Sequence, residues 1–259
     1  MPIDKRILVA CPIHQREWII PYYLRDLYNL NYNKKLIDIY WIINNSTDNS
    51  LILLREFKQK YENEYNSITI EILNSTNKFK DDRKSALREQ FTYSWLASLR
   101  NKLLKKCVQL DNDFLWSHDC DILFKPDTLN RLLSHNKNIV SCLLYNSYLF
   151  TPEEPWRHPN ILKEIGFRQY QHIVNYRTKN PNKNSIGTLL PCEFTGASIL
   201  ISKDVCKVAK YDWHKLGEDE PFCYSARKAG FNLWCDISLY VQHVMGEQFL
   251  DQFKNFGIE

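Results

Sequence analysis

Two carboxylates separated by one residue, in Asp119-Cys120-Asp121, directly follow an apolar run with the character of a buried strand. Residues two apart in an extended segment point to the same side, so these charges repel each other. A divalent cation offsets such charges well, because Mg²⁺ binds one or two carboxylates together with substrate phosphate oxygens. The spacing therefore indicates a metal and phosphate site. Taken alone, the pattern fits a solvated turn ahead of a helix near Pro126 better, and its position directly after an apolar strand reverses that preference.

A second acidic group lies at residues 217–221, Gly-Glu-Asp-Glu-Pro. Proline suits the first turn of a helix, and the helix dipole favours carboxylates there, which is a purely structural explanation. The same position keeps a carboxylate ionised, as a general base requires. The segment alone leaves both interpretations open.

Two single residues are weaker signals. His243 follows a predicted strand, where a histidine is more often a core or surface residue than a metal ligand. Arg100 lies one step from the apolar stripe of its helix, where a solvated charge is the simpler interpretation. The eight cysteines form no Cys-x-x-Cys pair, so the sequence predicts free thiols and no zinc site.

The elements that must position these residues alternate between strand and helix in the first half of the chain. Such alternation predicts an α/β fold with a mainly parallel central sheet flanked by helices. Ligands bind beyond the carboxyl ends of strands in sheets of this kind, where the polar residues noted above are found. The predicted strands are residues 6–11, 37–43, 68–73, 114–117 and 139–144, and the predicted helices are residues 17–30, 48–65 and 87–107, with a fourth starting near 126.

Residues 146–190 break this pattern, because aromatic, proline and basic residues mix there without periodicity. A segment this long without regular structure is often a binding loop. Regular structure resumes with predicted strands at 197–202, 233–237 and 239–243 and a helix at 218–229. We expect one domain over residues 1–259, with 146–190 as an irregular region.

Composition limits the classes of protein that remain. The 259 residues are 44% hydrophobic and 25% charged, which supports a packed core and excludes wholesale disorder. A net charge of +4 does not by itself indicate nucleic-acid binding. No apolar run approaches the roughly 18–20 residues of a membrane span, and the first residues do not resemble a signal peptide. We therefore expect a cytoplasmic protein without a membrane span.

Taken in this order, the motifs resemble the nucleotide-sugar glycosyltransferases with the GT-A fold, especially the family-2-like group. Each motif is common alone, but the set spans nearly the whole chain. The four blocks that carry the resemblance are residues 7–27 with 44–49, Leu99-Arg100-Asn101, the Asp119-Cys120-Asp121 match to the DxD motif, and residues 195–198 with 217–219 and His243.

The resemblance implies a nucleoside-diphosphate sugar donor, bound mainly by residues 1–125, and a Mn²⁺ or Mg²⁺ cofactor. Asn44 or Asn45 stands where the family often has an acidic residue that recognises the nucleotide base, so the identity of that nucleotide base stays open. The implied metal ligands are Asp121, Asp119 and His243. The implied donor-binding residues are Pro12, Arg16, Asn44, Asn45, Arg100, Asp119, Cys120 and Gly196.

The resemblance also implies an inverting reaction with Asp219 as the general base and Glu218 as the alternative base. Residues 126–259 would bind the acceptor, with Trp156 and Tyr176 stacking on sugar rings and Tyr148 and Tyr170 as further candidates. Basic residues in this segment, such as Arg168, suit an anionic acceptor. A glycan or protein acceptor fits better than a modified nucleic acid.

Three alternatives compete with this prediction. A retaining transferase shares the fold and the DxD motif but has no base at Asp219. A nucleotide-sugar-binding protein without turnover is the second, and the full set of acids argues against it. A nucleotidyltransferase is the third, but residues 11–15 lack the glycine-rich phosphate loop that it needs.

Overall fold

The structure is a computed structural model that describes residues 4–75, 90–146, 151 and 153–258, with side chains from residue 92 onward in its longest helix. Tyr148, Leu87 and most of the polar loop that follows residue 74 lie outside the described residues.

The described strands and helices follow one another along the chain as the sequence predicts for its first half. In chain order the strands are β1 Ile7–Ile13, β2 Ile37–Ile43, β3 Ser67–Ile72, β4 Phe114–His118, β5 Ile122–Leu123, β6 Ile139–Leu143, β7 Leu162–Gly166, β8 Gln169–His172, β9 Leu189–Cys192, β10 Ser198–Ser202, β11 Leu233–Tyr240 and β12 Gln242–His243. The helices are α1 Ile20–Tyr28, α2 Ser50–Tyr61, α3 Gln90–Gln109, α4 Thr128–Ser134, α5 Tyr176–Lys179, α6 Lys203–Val208, α7 Asp219–Lys228 and α8 Leu250–Phe253.

Eight of these strands form one sheet in the order β3-β2-β1-β4-β10-β6-β11-β9. Strands β1 to β4, β6 and β11 run in one direction, and β9 and β10 run against them. The predicted α/β fold with a mostly parallel sheet is confirmed. Because six carboxyl ends lie at one edge, the loops that follow those strands meet there, together with the start of β10.

Strand β1 continues through Pro12 to Ile13, although the proline predicted an end at residue 11. Strand β4 pairs with β1 only from Ile7 to Ala10, while β2 pairs with β1 along its whole length. Beyond Ala10, β1 therefore has one neighbour in the sheet instead of two. A proline is tolerated there because the open side of a strand needs no N–H donor.

Both faces of the sheet are covered. Helices α1, α2 and α4 pack on one face, with side chains such as Tyr23, Phe57 and Leu132. Helices α3, α6 and α7 pack on the other face, with Leu103 and Phe222 among the buried residues. Strand β2 is buried at every position, as expected of a parallel strand covered on both faces. No helix within the described ranges is long and apolar enough to cross a membrane.

The segment from 146 to 190 contains more regular structure than its lack of periodicity predicts. Strands β7 and β8 form an antiparallel hairpin, and β9 joins the outer edge of the central sheet. Helix α5 begins with a capping box in which the Asn175 side chain accepts from Arg177 and Thr178. The prediction of a wholly irregular region is therefore wrong for this part of the chain.

Candidate active site

The aspartate pair and the late histidine meet at the carboxyl edge of the sheet. Strand β4 ends at His118 and delivers Asp119 and Asp121 to that edge. The short strand β12 pairs with β5, so His243 lies opposite Ile122 in the backbone register. Its ring Nε2 is 3.6 Å from Asp121 Oδ1. Residues separated by more than 120 positions in the sequence therefore contribute to one site.

A single guanidinium joins this pair to the acidic start of helix α7. Arg100 Nη2 donates to both Asp119 oxygens, at 3.0 and 2.9 Å, and Arg100 Nε donates to Glu218 Oε1 at 2.9 Å. Arg100 is only 4% exposed. Burial lowers its pKa, but the nearby carboxylates of Asp119, Asp219 and Glu218 raise the pKa well above its ordinary value. Arg100 is therefore a permanent positive charge at the centre of the site.

Asp121 has an arginine partner of its own. Arg16 Nε lies 3.3 Å from Asp121 Oδ2, and both side chains are buried. The Arg16 guanidinium is held in turn by the main-chain oxygens of His14 and Gln15, at 2.6 and 2.9 Å. The sequence reasoning assigned the compensating charge to a metal alone and missed these ion pairs. The available signal was the position of Arg16, just beyond β1 at the same edge.

His118 fixes the backbone that carries the aspartates. Its Nε2 lies 3.0 Å from the Ile122 carbonyl oxygen, and its Nδ1 lies 2.8 Å from Ser198 Oγ. A carbonyl only accepts, so Nε2 carries the proton and Nδ1 accepts from the serine hydroxyl. Burial lowers the pKa of His118 to about 4, which keeps the ring neutral near pH 7. From the sequence, His118 was noted only as a residue that follows a predicted strand.

Asp219 lies directly against Gly196. A Cβ atom added to Gly196 would lie 2.0 Å from Asp219 Oδ2, so a side chain at 196 would displace the carboxylate. Asp219 is the first residue of α7, where the helix dipole stabilises its negative charge. The carboxylate of Glu218, the alternative base, is paired with Arg100.

Glu220 was not assigned a role from the sequence, yet it is fully buried. It accepts a hydrogen bond from Arg168 Nε at 2.9 Å and one from the Tyr170 hydroxyl at 2.8 Å, and Arg168 Nη2 donates to its other oxygen. Burial raises the Glu220 pKa, but these bonds bring it below its ordinary value. Glu220 thereby fastens the β7–β8 hairpin to the start of α7. No sequence signal links residues this far apart.

Comparison with known proteins identifies the family. A model described as the N-terminal domain of glycosyltransferase family 25 matches residues 4–153, more than half of the chain. The chain belongs to glycosyltransferase family 25. The predicted membership of the GT-A glycosyltransferases is thus confirmed, and the family is family 25.

Among relatives of this family 25 chain, procollagen galactosyltransferase 1-A of Xenopus laevis is 27% identical over 139 residues. That match covers 53% of this chain and 23% of the relative, so the matched region spans less than a quarter of the length of that protein. Solved structures share the fold, and two of them serve as examples. Mannosyltransferase PcManGT from Pyrobaculum calidifontis, in complex with GDP-Man and Mn²⁺, aligns at a TM-score of 0.57 and 10% identity, covering 93% of this chain and 57% of its own. GalNAc-T7, with UDP, GalNAc and Mn²⁺, aligns at 0.58 and 13% identity, covering 92% and 44%.

The predicted donor-binding residues of the family 25 chain fall into two groups. Arg16, Arg100, Asp119 and Gly196 lie at the edge described above, and Pro12 lies half-buried near the end of β1. Asn44, Asn45 and Cys120 form the second group, whose side chains are engaged elsewhere.

Each side chain of the second group has a partner inside the protein. The Asn44 amide donates to the Ile13 carbonyl oxygen at 2.9 Å, and Asn45 exchanges two hydrogen bonds with the Ser75 backbone, both of 2.9 Å. The thiol of Cys120 is buried beside Cys11. The two amides hold loops together, and Cys120 offers a ligand only its backbone.

The two predicted acceptor residues lie on the segment that follows β6. Trp156 is half-buried against the core, and the Lys179 ammonium lies 3.6 Å from the centroid of its ring. Tyr176 is 67% exposed at the start of α5. Both rings have a lysine nearby, but the Lys183 ammonium lies 5.9 Å from the Tyr176 ring centroid, so Tyr176 is the more accessible of the two.

The family 25 chain offers two side chains that fit a divalent cation. Two ligands about 2.1 Å from one ion are typically 3–4 Å apart, and Asp121 Oδ1 and His243 Nε2 are 3.6 Å apart. Asp119 fits less well, since both of its oxygens accept from Arg100. Within the described ranges, no group of three or more His, Cys, Asp or Glu side chains is placed to hold a metal. Any further ligands would have to come from substrate and water.

Proposed function

We propose that this chain is a metal-dependent, inverting glycosyltransferase that moves a sugar from a nucleoside-diphosphate sugar to an acceptor hydroxyl. One observation carries the proposal. The Arg100 guanidinium bonds Asp119 and Glu218 at 2.9 Å each, so the DxD motif and the acidic start of α7 share one site. A uridine or guanosine diphosphate sugar is the donor class, since the solved relatives of this fold carry UDP or GDP-Man.

The donor diphosphate would lie between Asp121, His243 and the Arg100 guanidinium. A divalent cation held by Asp121 and His243 would neutralise negative charge on the departing diphosphate. Arg100 adds a fixed positive charge that needs no rearrangement during the reaction. The Arg16 ion pair holds the Asp121 carboxylate in orientation, as partners of metal ligands commonly do.

Asp219 would act as the general base. The acceptor oxygen forms a bond to the anomeric carbon from the face opposite the diphosphate, its proton passes to an Asp219 oxygen, and the sugar–phosphate bond breaks with the electron pair leaving on the diphosphate. The configuration at the anomeric carbon inverts in this single displacement. Glu218 is the alternative base, and its buried carboxylate is paired with Arg100.

The test is nucleotide release from a panel of UDP- and GDP-sugars. We expect turnover that EDTA abolishes and Mn²⁺ restores. Asp219→Asn should lower turnover by about 10²- to 10⁴-fold, the usual contribution of a general base. Asp251→Asn, at an exposed position, is the matched control. Full activity of Asp219→Asn, or a product of retained anomeric configuration by NMR, would contradict the proposed mechanism.

A further inference from the structure

A groove of about 340 Å³ lies on the outward face of helix α7. We call it the α7 groove, defined by Arg168, Lys210, Asp212, Trp213, Tyr224 and Lys228. Its lining comes from three separate segments: the β7–β8 hairpin, the loop before α7 and α7 itself. Its volume is within the usual range for small-molecule sites, about 300–1,000 Å³.

The α7 groove is separate from the site around Asp219. At 3.6 residues per turn, Tyr224 and Lys228 project about 140–180° around the helix from Asp219. Lys228 is nine residues further along, or about 13 Å at the usual rise. The groove therefore opens on the side of α7 that faces away from Asp219, where a more distant unit of the same acceptor would lie, rather than the reacting hydroxyl.

The lining carries a small net positive charge, because Arg168 is paired with the buried Glu220 and the two lysines then face the single carboxylate of Asp212. Lys210 and Asp212 are mostly exposed and 4.0 Å apart, so their pairing is weak. In the described part of the chain, Lys228 forms no ion pair, and its ammonium lies 5.7 Å from the Tyr224 ring centroid. This arrangement favours an anionic ligand.

Aromatic rings at the groove are unusually exposed. Trp213 is 40% exposed. Phe167, at the tip of the hairpin, is 78% exposed and contacts Tyr224 edge-on, with ring centroids 6.2 Å apart. Flat rings beside charged groups suit a ligand that has both an apolar face and an acid, as an acidic sugar has.

The hairpin wall of the groove is held in place before any ligand arrives. Buried Glu220 bonds Arg168 and Tyr170, and Arg227 Nη1 donates to Glu164 at 2.6 Å. The Arg168 guanidinium carbon then lies 4.8 Å from the Tyr224 ring centroid. A wall fixed in this way reduces the ordering cost of binding.

We propose that the α7 groove binds an acidic sugar unit, bearing a carboxylate or a phosphate, of the acceptor glycan. This inference rests on the proposed function, because it names the class of acceptor that the same enzyme uses. Lys210 and Lys228 meet the acid, and Trp213 stacks on the sugar ring.

The test is a calorimetric titration of the full chain, without donor, with methyl β-glucuronide, glucose 6-phosphate and neutral methyl β-glucoside. We expect either acidic sugar to bind at least fivefold more tightly than the glucoside, with a preference that weakens in high salt. Lys210→Ala combined with Lys228→Ala should weaken acidic-sugar binding about tenfold, or about threefold for each exposed ion pair lost. Lys105→Ala, an exposed lysine of α3, is the control and should bind unchanged.

Three other results are informative. Equal binding of acidic and neutral sugars, or no binding, overturns the inference, even if donor turnover is normal. Tighter binding of an acidic tetrapeptide that depends on the same two lysines overturns it in favour of a peptide partner. Lysine-dependent binding of the acidic sugars by a chain that releases no nucleotide from any donor supports the groove while contradicting the proposed reaction.

Discussion

The ion pair of Arg100 and Glu218 should be energetically coupled, because both side chains are almost completely buried. Arg100→Met would leave the Glu218 charge in the interior without its counter-ion, which typically costs about 3–5 kcal/mol. Glu218→Met should cost less, about 1–3 kcal/mol, since Arg100 keeps its bonds to Asp119 and Ser117. The double variant removes the isolated carboxylate, so we expect it to be at least about 2 kcal/mol more stable than the sum of the two losses predicts.

Urea unfolding at pH 7, followed by tryptophan fluorescence, measures the four proteins of this cycle. The exposed pair Arg157–Glu154 provides a matched cycle in which the coupling should stay below about 1 kcal/mol. If the two losses at Arg100 and Glu218 simply add, within about 0.5 kcal/mol, the buried ion pair does not join the two parts of the site. Glu218 would then be as good a candidate for the general base as Asp219.

Three further predictions follow from single contacts. Gly196→Ala places a Cβ 2.0 Å from Asp219 Oδ2, which should displace the proposed base. The rate of nucleotide release should then fall about 100-fold, and an unchanged rate would refute this. Burial raises the pKa of Asp26 to about 6, so the folded state keeps a proton on Asp26 that the unfolded state loses near pH 4. The unfolding free energy of the wild type, measured in urea relative to Asp26→Asn, should therefore fall by up to about 3 kcal/mol from pH 4 to 7. A difference between the two proteins that does not change with pH would contradict this. Tyr211→Phe removes a buried hydroxyl that has no hydrogen-bond partner within the described structure. The unfolding free energy should therefore stay constant or rise by about 1 kcal/mol. A clear decrease in the unfolding free energy would show that the hydroxyl has a partner.

The parallel half of the fold was predictable because its strands are continuous apolar runs bounded by turn residues. Strand β2 has the bounds that the sequence predicts, since Ile37–Ile43 is buried at every position. Strand β1 was predicted too short, because the effect of Pro12 depends on where its neighbour β4 stops pairing. A single strand carries no information about the extent of its partners.

The β7–β8 hairpin was not predictable from local pattern. Its position depends on the ion pairs Arg168–Glu220 and Arg227–Glu164, which join residues 52 and 63 positions apart. The hairpin strands are largely exposed, so they lack the apolar alternation that identifies a half-buried strand. The hairpin is held by these charge pairs and by backbone hydrogen bonds between Leu162 and Phe194, and neither leaves a local pattern in the sequence.

The location of the candidate site could be predicted from the topology of the sheet, whereas the ion pairs within the site could not. Residues after parallel strands must share an edge, and this rule correctly brought Asp121 and His243 into one neighbourhood. Which arginine faces which carboxylate depends on side-chain reach across several elements. The pairs Arg16–Asp121 and Arg100–Glu218 therefore became visible only in the structure.

The most direct test of the central claim is Mn²⁺ binding in the presence of UDP or GDP, measured by electron paramagnetic resonance of the free ion. We expect wild-type protein with nucleotide to take up Mn²⁺ and Asp121→Asn to bind at least tenfold more weakly. Asp111→Asn, at an exposed position, should behave like wild type. Equal Mn²⁺ uptake by wild-type protein and Asp121→Asn would contradict the assignment of a metal–diphosphate site to Asp121 and His243.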